Sequence, residues 1–286
     1  MSNSNLPTAI PPVADSAPRL QLIIKKGPQD GSSIPCRRVV TLIGSREGCK
    51  VNLQHRRAAP VHAALVNNGA EIIAVDLLSP VGTHLNGLKL QHEVINDGDL
   101  LAVDQWEFQV EIEQPGSKGN GDVHQIDLDP TPNLVALEHM DTGRVLQPNR
   151  AVCLIGRRNG CDITLPDSRV SRAHALLFSY FGHPAILDLL TPNGTQVNDA
   201  PVQFQALKDA DVVTIGDTQF RVRVVGSAAG KHESNGQKPA APAVKLVEEP
   251  VSADLVDIQQ TEGAQSWRIA DNLEQLEKAG GKRRAV

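Results

Sequence analysis

Gly156 to Ala175 reads G-R-R-N-G-C-D-I-T-L-P-D-S-R-V-S-R-A-H-A, and Asp188 to Asn198 reads D-L-L-T-P-N-G-T-Q-V-N. Each stretch begins at the end of a short apolar strand candidate, Ala151–Ile155 and Ala185–Leu189. Each is then broken by Gly, Asn, Asp and Pro, the residues of turns. Further strand candidates are His174–Phe178, Val212–Ile215 and Gln219–Val225. Short strands separated by turn residues are the pattern of an all-β sandwich or barrel.

The same pattern occurs earlier in the chain. Leu42-Ile43-Gly44 matches Leu154-Ile155-Gly156, and Asp76-Leu77-Leu78 matches Asp188-Leu189-Leu190, both at an offset of 112 residues with no gap. The register extends to Phe108 and Phe220. A unit this long exceeds the roughly 20–50 residues of a solenoid repeat, so it reads as a duplicated domain. The two copies agree at Gly44/Gly156, Cys49/Cys161, His62/His174, Gly82/Gly194, Thr83/Thr195 and Asn86/Asn198. They differ where Ser45, Ala59, Pro60 and Val81 stand in place of Arg157, Ser171, Arg172 and Asn193.

The ordered set Gly156, Arg157, Ser171, Arg172, His174, Asn193, Gly194, Thr195 and Asn198 resembles the forkhead-associated (FHA) domain, a reader of phosphothreonine peptides. The resemblance covers nearly all of residues 19–226, strongly in the second copy and partly in the first. It implies two FHA-like β-sandwich domains in tandem, with binding loops gathered at one end of each sandwich. In that family the positions of Arg157, Ser171, Arg172 and Asn193 touch the phosphopeptide, and that of Arg169 influences the choice of the third residue after the phosphothreonine. Gly156, His174, Gly194, Thr195 and Asn198 fall at positions that support the site loops. The first copy has kept the supporting set and lost the contacting set, so it is expected to be a degenerate, non-phosphobinding scaffold.

The chemistry of the second copy suits the implied ligand. A phosphomonoester carries about −1.5 to −2 charges at neutral pH and three acceptor oxygens. Arg157 offers a permanently charged fork of donors, Ser171 a compact hydroxyl, and Arg172 a second cation. Asn193 has donors and an acceptor, with which, as the resemblance implies, it can bracket an extended peptide main chain. The positive charge of Arg169 would favour an acidic residue nearby. His174 has no nucleophile or metal partner in sequence, and its persistence as His62 points to bracing of the loops.

Composition bounds the alternatives. The chain has 286 residues, enough for about two domains. Its net charge of −5 and its 3% aromatic content argue against a nucleic-acid surface. No nucleophile motif, metal-ligand cluster or phosphate loop is present, so neither an enzyme nor a cofactor is expected. Cys36, Cys49, Cys153 and Cys161 lack C-x-x-C spacing and read as buried free thiols, which fits a reducing cytoplasm. No apolar run approaches the ~20 residues of a membrane span. The N-terminal M-S-N-S-N-L-P lacks the basic start and apolar stretch of a secretory signal.

The expected organisation is therefore a disordered segment at 1–18, a degenerate FHA-like domain at 19–114, a Gly-rich linker at 115–130, an FHA domain at 131–226 and a low-complexity tail at 227–286. Within the first domain, Gln21–Ile24 and Val39–Ile43 read as strands and Pro28–Gly31 as a turn; Leu134–Leu137 and a turn at Asp141–Gly143 open the second. Apolar spacing from Trp267 to Ala279 marks a short amphipathic helix. The expected function is that of a phosphothreonine-binding adaptor whose partners are a phosphoprotein and the Ser/Thr kinase that marks it. Thr8, Thr131 and Thr261 are threonines whose phosphorylation in flexible segments would allow capture by the same chain. The competing reading is an assembly scaffold independent of phosphorylation, which leaves Arg157, Ser171 and Asn193 unexplained.

Overall fold

Two kinds of strand build the molecule, and the sequence distinguishes them. Some alternate apolar with polar residues, as in R-L-Q-L-I-I-K-K at 19–26 and W-E-F-Q-V-E-I-E at 106–113, and bury one face only. Others carry no charged residue and almost no polar one, as in V-T-L-I-G at 40–44 and V-C-L-I-G at 152–156, and are buried at every position. The first kind belongs to a sheet with one wet face, the second to a sheet covered on both sides.

The computed structural model describes residues 9–115, 135–148 and 150–224. The first copy comprises β1 (Arg19–Lys26), β2 (Ser33–Cys36), β3 (Val40–Gly44), β4 (Val51–Asn52), β5 (Ala63–Asn67), β6 (Ile72–Asp76), β7 (Thr83–Leu85), β8 (Leu88–Leu90), β9 (His92–Ile95), β10 (Leu100–Val103) and β11 (Trp106–Glu113). The second copy repeats them as β12 (Val135–His139), β13 (Val145–Leu146), β14 (Val152–Gly156), β15 (Ile163–Thr164), β16 (Ala175–Tyr180), β17 (His183–Asp188), β18 (Thr195–Val197), β19 (Ala200–Val202), β20 (Phe204–Ala206), β21 (Val212–Ile215) and β22 (Thr218–Val224). No helix occurs among the described residues, and none is long and apolar enough to cross a membrane. The fold is all-β, as expected.

Each copy is a sandwich of a six-stranded and a five-stranded sheet. The six-stranded sheets run β2-β1-β11-β10-β7-β8 and β13-β12-β22-β21-β18-β19; the five-stranded sheets run β4-β3-β5-β6-β9 and β15-β14-β16-β17-β20. All neighbours are antiparallel except β3/β4 and β14/β15. Leu22, Ile43, Leu65, Leu101 and Phe108 centre the core of the first sandwich; Leu137, Ile155, Leu177, Val213 and Phe220 centre that of the second. All four cysteines are buried and free. Burial pushes their thiols up, Cys153 to about 12 and the others to about 11, as expected of packing residues rather than reactive ones.

Both copies lie in one compact unit of the chain, and their five-stranded sheets pack face to face. Val40, Leu42, Val66 and Val75 of the first copy share a buried apolar cluster with Leu154, Leu176, Phe178 and Leu187 of the second. This third core explains the strands that lack polar alternation: one face fills the copy's own sandwich and the other fills the seam. The seam contacts are reciprocal. Arg46 donates to the carbonyl of Leu190, and Arg158, its counterpart, donates to the carbonyl of Leu78, the counterpart of Leu190. A Cβ on Gly48 would meet Leu190, and one on Gly160 would meet Leu78. Phe181 packs on Gly69, its own counterpart, and its N–H donates to the Asn68 carbonyl at 2.9 Å. Reciprocity of this kind is the signature of an isologous, two-fold contact, here between two halves of one chain.

The structure corrects one expectation about organisation. Composition places residues 9–18 in a disordered segment, yet they are held in place. Val13 N–H donates to the Arg37 carbonyl at 2.9 Å, Val39 N–H to the Pro11 carbonyl at 3.0 Å, and Asn67 Nδ2 to the Pro18 carbonyl. Ile10 is buried in the seam core and Ala17 is fully buried. Proline-rich composition hid this because proline still offers a carbonyl acceptor to a neighbouring strand. Residues 1–8, the linker beyond Pro115, the tail with its expected helix at 267–279, and Thr8, Thr131 and Thr261 lie outside the described residues.

Candidate functional site

The site is built where β14, β16 and β17 give way to loops. At the end of β14, Gly156 runs so close to the next loop that a Cβ would overlap the Arg172 carbonyl. Only glycine permits that approach. It lets Arg157 N–H donate to the Ser171 carbonyl at 3.0 Å and Arg158 N–H to the Arg172 carbonyl at 3.3 Å. Arg157 and Ser171 are thereby fixed side by side.

His174, fully buried, locks the second of these loops to the third. Ser171 N–H donates to its Nδ1 at 3.0 Å, and its Nε2 lies 3.1 Å from the Gly194 carbonyl. A ring that accepts at Nδ1 and donates at Nε2 is neutral, with its proton on Nε2. Burial pushes its pKa below 6.5, opposed in part by the Asp188 carboxylate and the hydrogen bond to Gly194. Asp188 is the buried hub of the third loop: it accepts Thr191 Oγ1 at 2.7 Å, Thr195 Oγ1 at 2.9 Å and Thr191 N–H at 2.7 Å. Thr191 Oγ1 in turn accepts Gly194 N–H at 3.1 Å. Gly194 has φ +71°, a left-handed turn position that favours glycine. Asn198, itself at φ 51°, donates to Asp211 at 2.9 Å and accepts Val212 N–H at 2.9 Å, pinning the turn after β18.

These bonds give structural work to Gly156, His174, Gly194, Thr195 and Asn198. They also involve Asp188, Thr191 and Asp211, which sequence reasoning did not assign to the site. A signal was present: Asp76/Asp188 and Asp99/Asp211 agree at the 112-residue offset, and Ser79 supplies in the first copy the hydroxyl of Thr191.

Arg157, Arg169, Ser171, Arg172 and Asn193 all line a single cleft of about 340 Å³. Ser171 is half-buried and the other four are exposed. Among the described residues, the guanidinium groups of Arg157 and Arg172 and the hydroxyl of Ser171 donate to no protein acceptor, so their donors remain available to a ligand. Asn193 Nδ2 donates to the Arg169 carbonyl at 2.6 Å, which joins two loops across the cleft and leaves Oδ1 to accept. Arg169 differs from the simple picture of a free cation: its guanidinium is paired with Asp217 and lies 3.9 Å from Asp167. Its charge is thus balanced locally, which weakens the argument for an acidic residue in the ligand.

The first copy has the same frame. His62 Nδ1 accepts Ala59 N–H at 3.1 Å and its Nε2 lies 3.2 Å from the Gly82 carbonyl; Asp76 accepts Ser79 Oγ and Thr83 Oγ1, each at 2.7 Å. At the contacting positions it presents Ala59, Pro60 and Val81, and Ser45 spends its hydroxyl on the Ala58 carbonyl at 3.2 Å.

Comparisons with known proteins match both copies to one family. The family model described as "FHA domain" matches residues 41–103 and 153–216. The FHA domain-containing protein FhaA of Mycobacterium tuberculosis is 42% identical over 84 residues, which cover 29% of this chain and 16% of that protein. The ABC transporter ATP-binding/permease protein Rv1747 of the same organism is 38% identical over 98 residues, 32% of this chain and 11% of that protein. The chain therefore spans well under a fifth of the length of these curated relatives. A crystal structure of the FhaA FHA domain complexed with the intracellular domain of Rv3910 is 38% identical, covering 31% of this chain and 99% of that one, with a TM-score of 0.30. A structure from work on phosphothreonine-dependent FHA domain interactions is 37% identical, covering 32% of this chain and 95% of that one, also at 0.30. With a family match on each of its two equivalent frames, the chain carries two FHA domains in tandem.

Proposed function

We propose that this protein is a non-enzymatic, cytoplasmic adaptor that binds phosphothreonine-containing segments of other proteins through its second FHA domain, the first being a scaffold that binds no phosphate. One observation carries the reading. On two frames with matching hydrogen bonds, only the second presents Arg157, Ser171, Arg172 and Asn193 to a cleft, with the donors of the first three uncommitted.

Two guanidinium forks and a hydroxyl supply fixed donors to a phosphate dianion, and charge-assisted bonds of this kind are about twice as strong as neutral ones. Asn193 Oδ1 takes a main-chain N–H of the bound segment. A Ser/Thr kinase writes the mark, and the chain's own threonines outside the described residues are further substrates for it. The FHA domain of the relative FhaA was crystallised with the intracellular domain of Rv3910, which supports a protein ligand for the domain of this chain as well.

The test uses the full chain. Phosphothreonine peptides should bind with micromolar affinity, the unphosphorylated peptides should not, and Arg157→Ala should narrow the difference by about tenfold or more. A folded chain that binds its partners equally before and after phosphatase treatment would instead establish the phosphorylation-independent scaffold.

A further inference from the structure

The cleft that holds Arg157, Ser171 and Asn193 is not closed by the second domain alone. Its opposite wall belongs to the first: Ala59, Pro60, Val61, Leu78 and Pro80 line the same space. Ala59 and Pro60 are the counterparts of Ser171 and Arg172, so two positions that contact phosphate in one half stand across the seam as apolar surface in the other. Pro60 and Pro80 are exposed, and Val61 and Leu78 are half-buried. The one cation of that wall, Arg46, is committed to the Leu190 carbonyl.

We propose that the first FHA domain forms the second wall of the peptide groove and makes the site select phosphothreonine segments with a bulky apolar residue beside the phosphothreonine. The idea rests on the reader function proposed above and adds the source of its selectivity. Phosphate contacts are common to every phosphothreonine, so discrimination between ligands must come from the flanks. The second domain offers cations and an amide; the first offers aliphatic surface that a polar flank leaves wet and an apolar flank covers.

The wall is held rigid. Arg158 bonds the Leu78 carbonyl, Arg46 N–H donates to the Pro60 carbonyl at 3.0 Å, and the seam core lies beneath. A preformed wall has little ordering cost on binding. The loss of the contacting set from the first domain is then a conversion: two phosphate sites facing one another across the seam became one site and one apolar shelf.

The experiment compares full-chain protein with the double variant Pro60→Ser/Pro80→Ser, both titrated with phosphothreonine peptides whose flanks are Leu or Phe in one set and Ser in the other. The native chain should bind the apolar set about tenfold tighter, the low end of what added apolar groups discriminate in a pocket. The variant should keep phosphate dependence and lose most of that ratio. Pro80→Ser alone serves if the double variant does not fold. Phosphate-dependent binding without flank preference in the native chain, or an unchanged preference in the variant, overturns the proposal and leaves the reader function intact. Failure of the folded native chain to bind any phosphothreonine peptide removes both.

Discussion

Replacing the buried histidine of each domain by alanine separates what the frame does from what the site does. His174→Ala removes the acceptor of Ser171 N–H and the donor to the Gly194 carbonyl. Each orphaned buried group costs about 1–3 kcal/mol, so the variant should lose about 2–6 kcal/mol of stability. That is a large part of the 5–15 kcal/mol typical of a folded domain. His62→Ala orphans the Ala59 N–H and the Gly82 carbonyl in the same way and should cost about the same. Their effects on binding should part company. Ser171 freed from His174 loses a charge-assisted hydrogen bond to phosphate, about 1.5–3 kcal/mol or roughly 10–150-fold in affinity. On the proposed reading no phosphate contact depends on Ala59. The assays are guanidinium unfolding followed by circular dichroism, and titration with a phosphothreonine peptide flanked by alanines. Equal affinity losses in the two variants, or a His174→Ala cost below about 1 kcal/mol, would refute the reasoning.

Other outcomes follow from the same geometry. Arg157→Ala and Ser171→Ala should each weaken phosphopeptide binding by about tenfold or more without shifting the unfolding midpoint, and added salt should shrink the Arg157 effect; Ser45→Ala should do nothing to binding. His174 accepts Ser171 N–H, and His92 accepts Val152 N–H at 3.2 Å across the seam; burial holds both below 6.5. A base with a depressed folded pKa leaves stability unchanged above 6.5, lowers it as pH falls from there, and levels off below its folded value. The slope should reach at most about 1.4 kcal/mol per pH unit for each histidine; a flat profile between pH 7 and 5 would count against it. Gly156→Ala drives a Cβ into the Arg172 carbonyl, and it should lower stability by about 1–3 kcal/mol and weaken phosphopeptide binding together. An isolated second domain, residues 131–226, uncovers Leu154, Leu176, Phe178 and Leu187. It should self-associate in light scattering, and a monodisperse monomer would contradict the seam.

Much of the frame around the candidate site was legible because the duplication acts as an internal control. Residues kept in both copies, His62/His174 and Asn86/Asn198, turned out to carry hydrogen bonds of the frame, while the residues changed between copies gather at the cleft. The features that the sequence pattern hides have physical causes. A strand buried on both faces, such as Val152–Gly156, alternates between two apolar environments, so no polar period marks its second face. Arg46/Arg158, Gly48/Gly160 and Leu78/Leu190 are also kept at the 112-residue offset, but a reciprocal contact is visible only once the halves are paired in space. The pairing of Arg169 with Asp217 joins loops that sequence spacing does not bring together.

The reciprocal seam has a consequence for valency. Two identical subunits meeting on a two-fold axis are bound to carry the same residues, so a change that improves one half is imposed on the other. Joining both halves in one chain lifts that obligation while keeping the packing. Arg46 and Arg158 still answer one another across the axis, yet Ala59 and Ser171 have diverged. On the proposed reading, such a chain would hold one ligand where a symmetric pair would hold two. It would then end a complex at a single marked partner instead of bridging one partner to another.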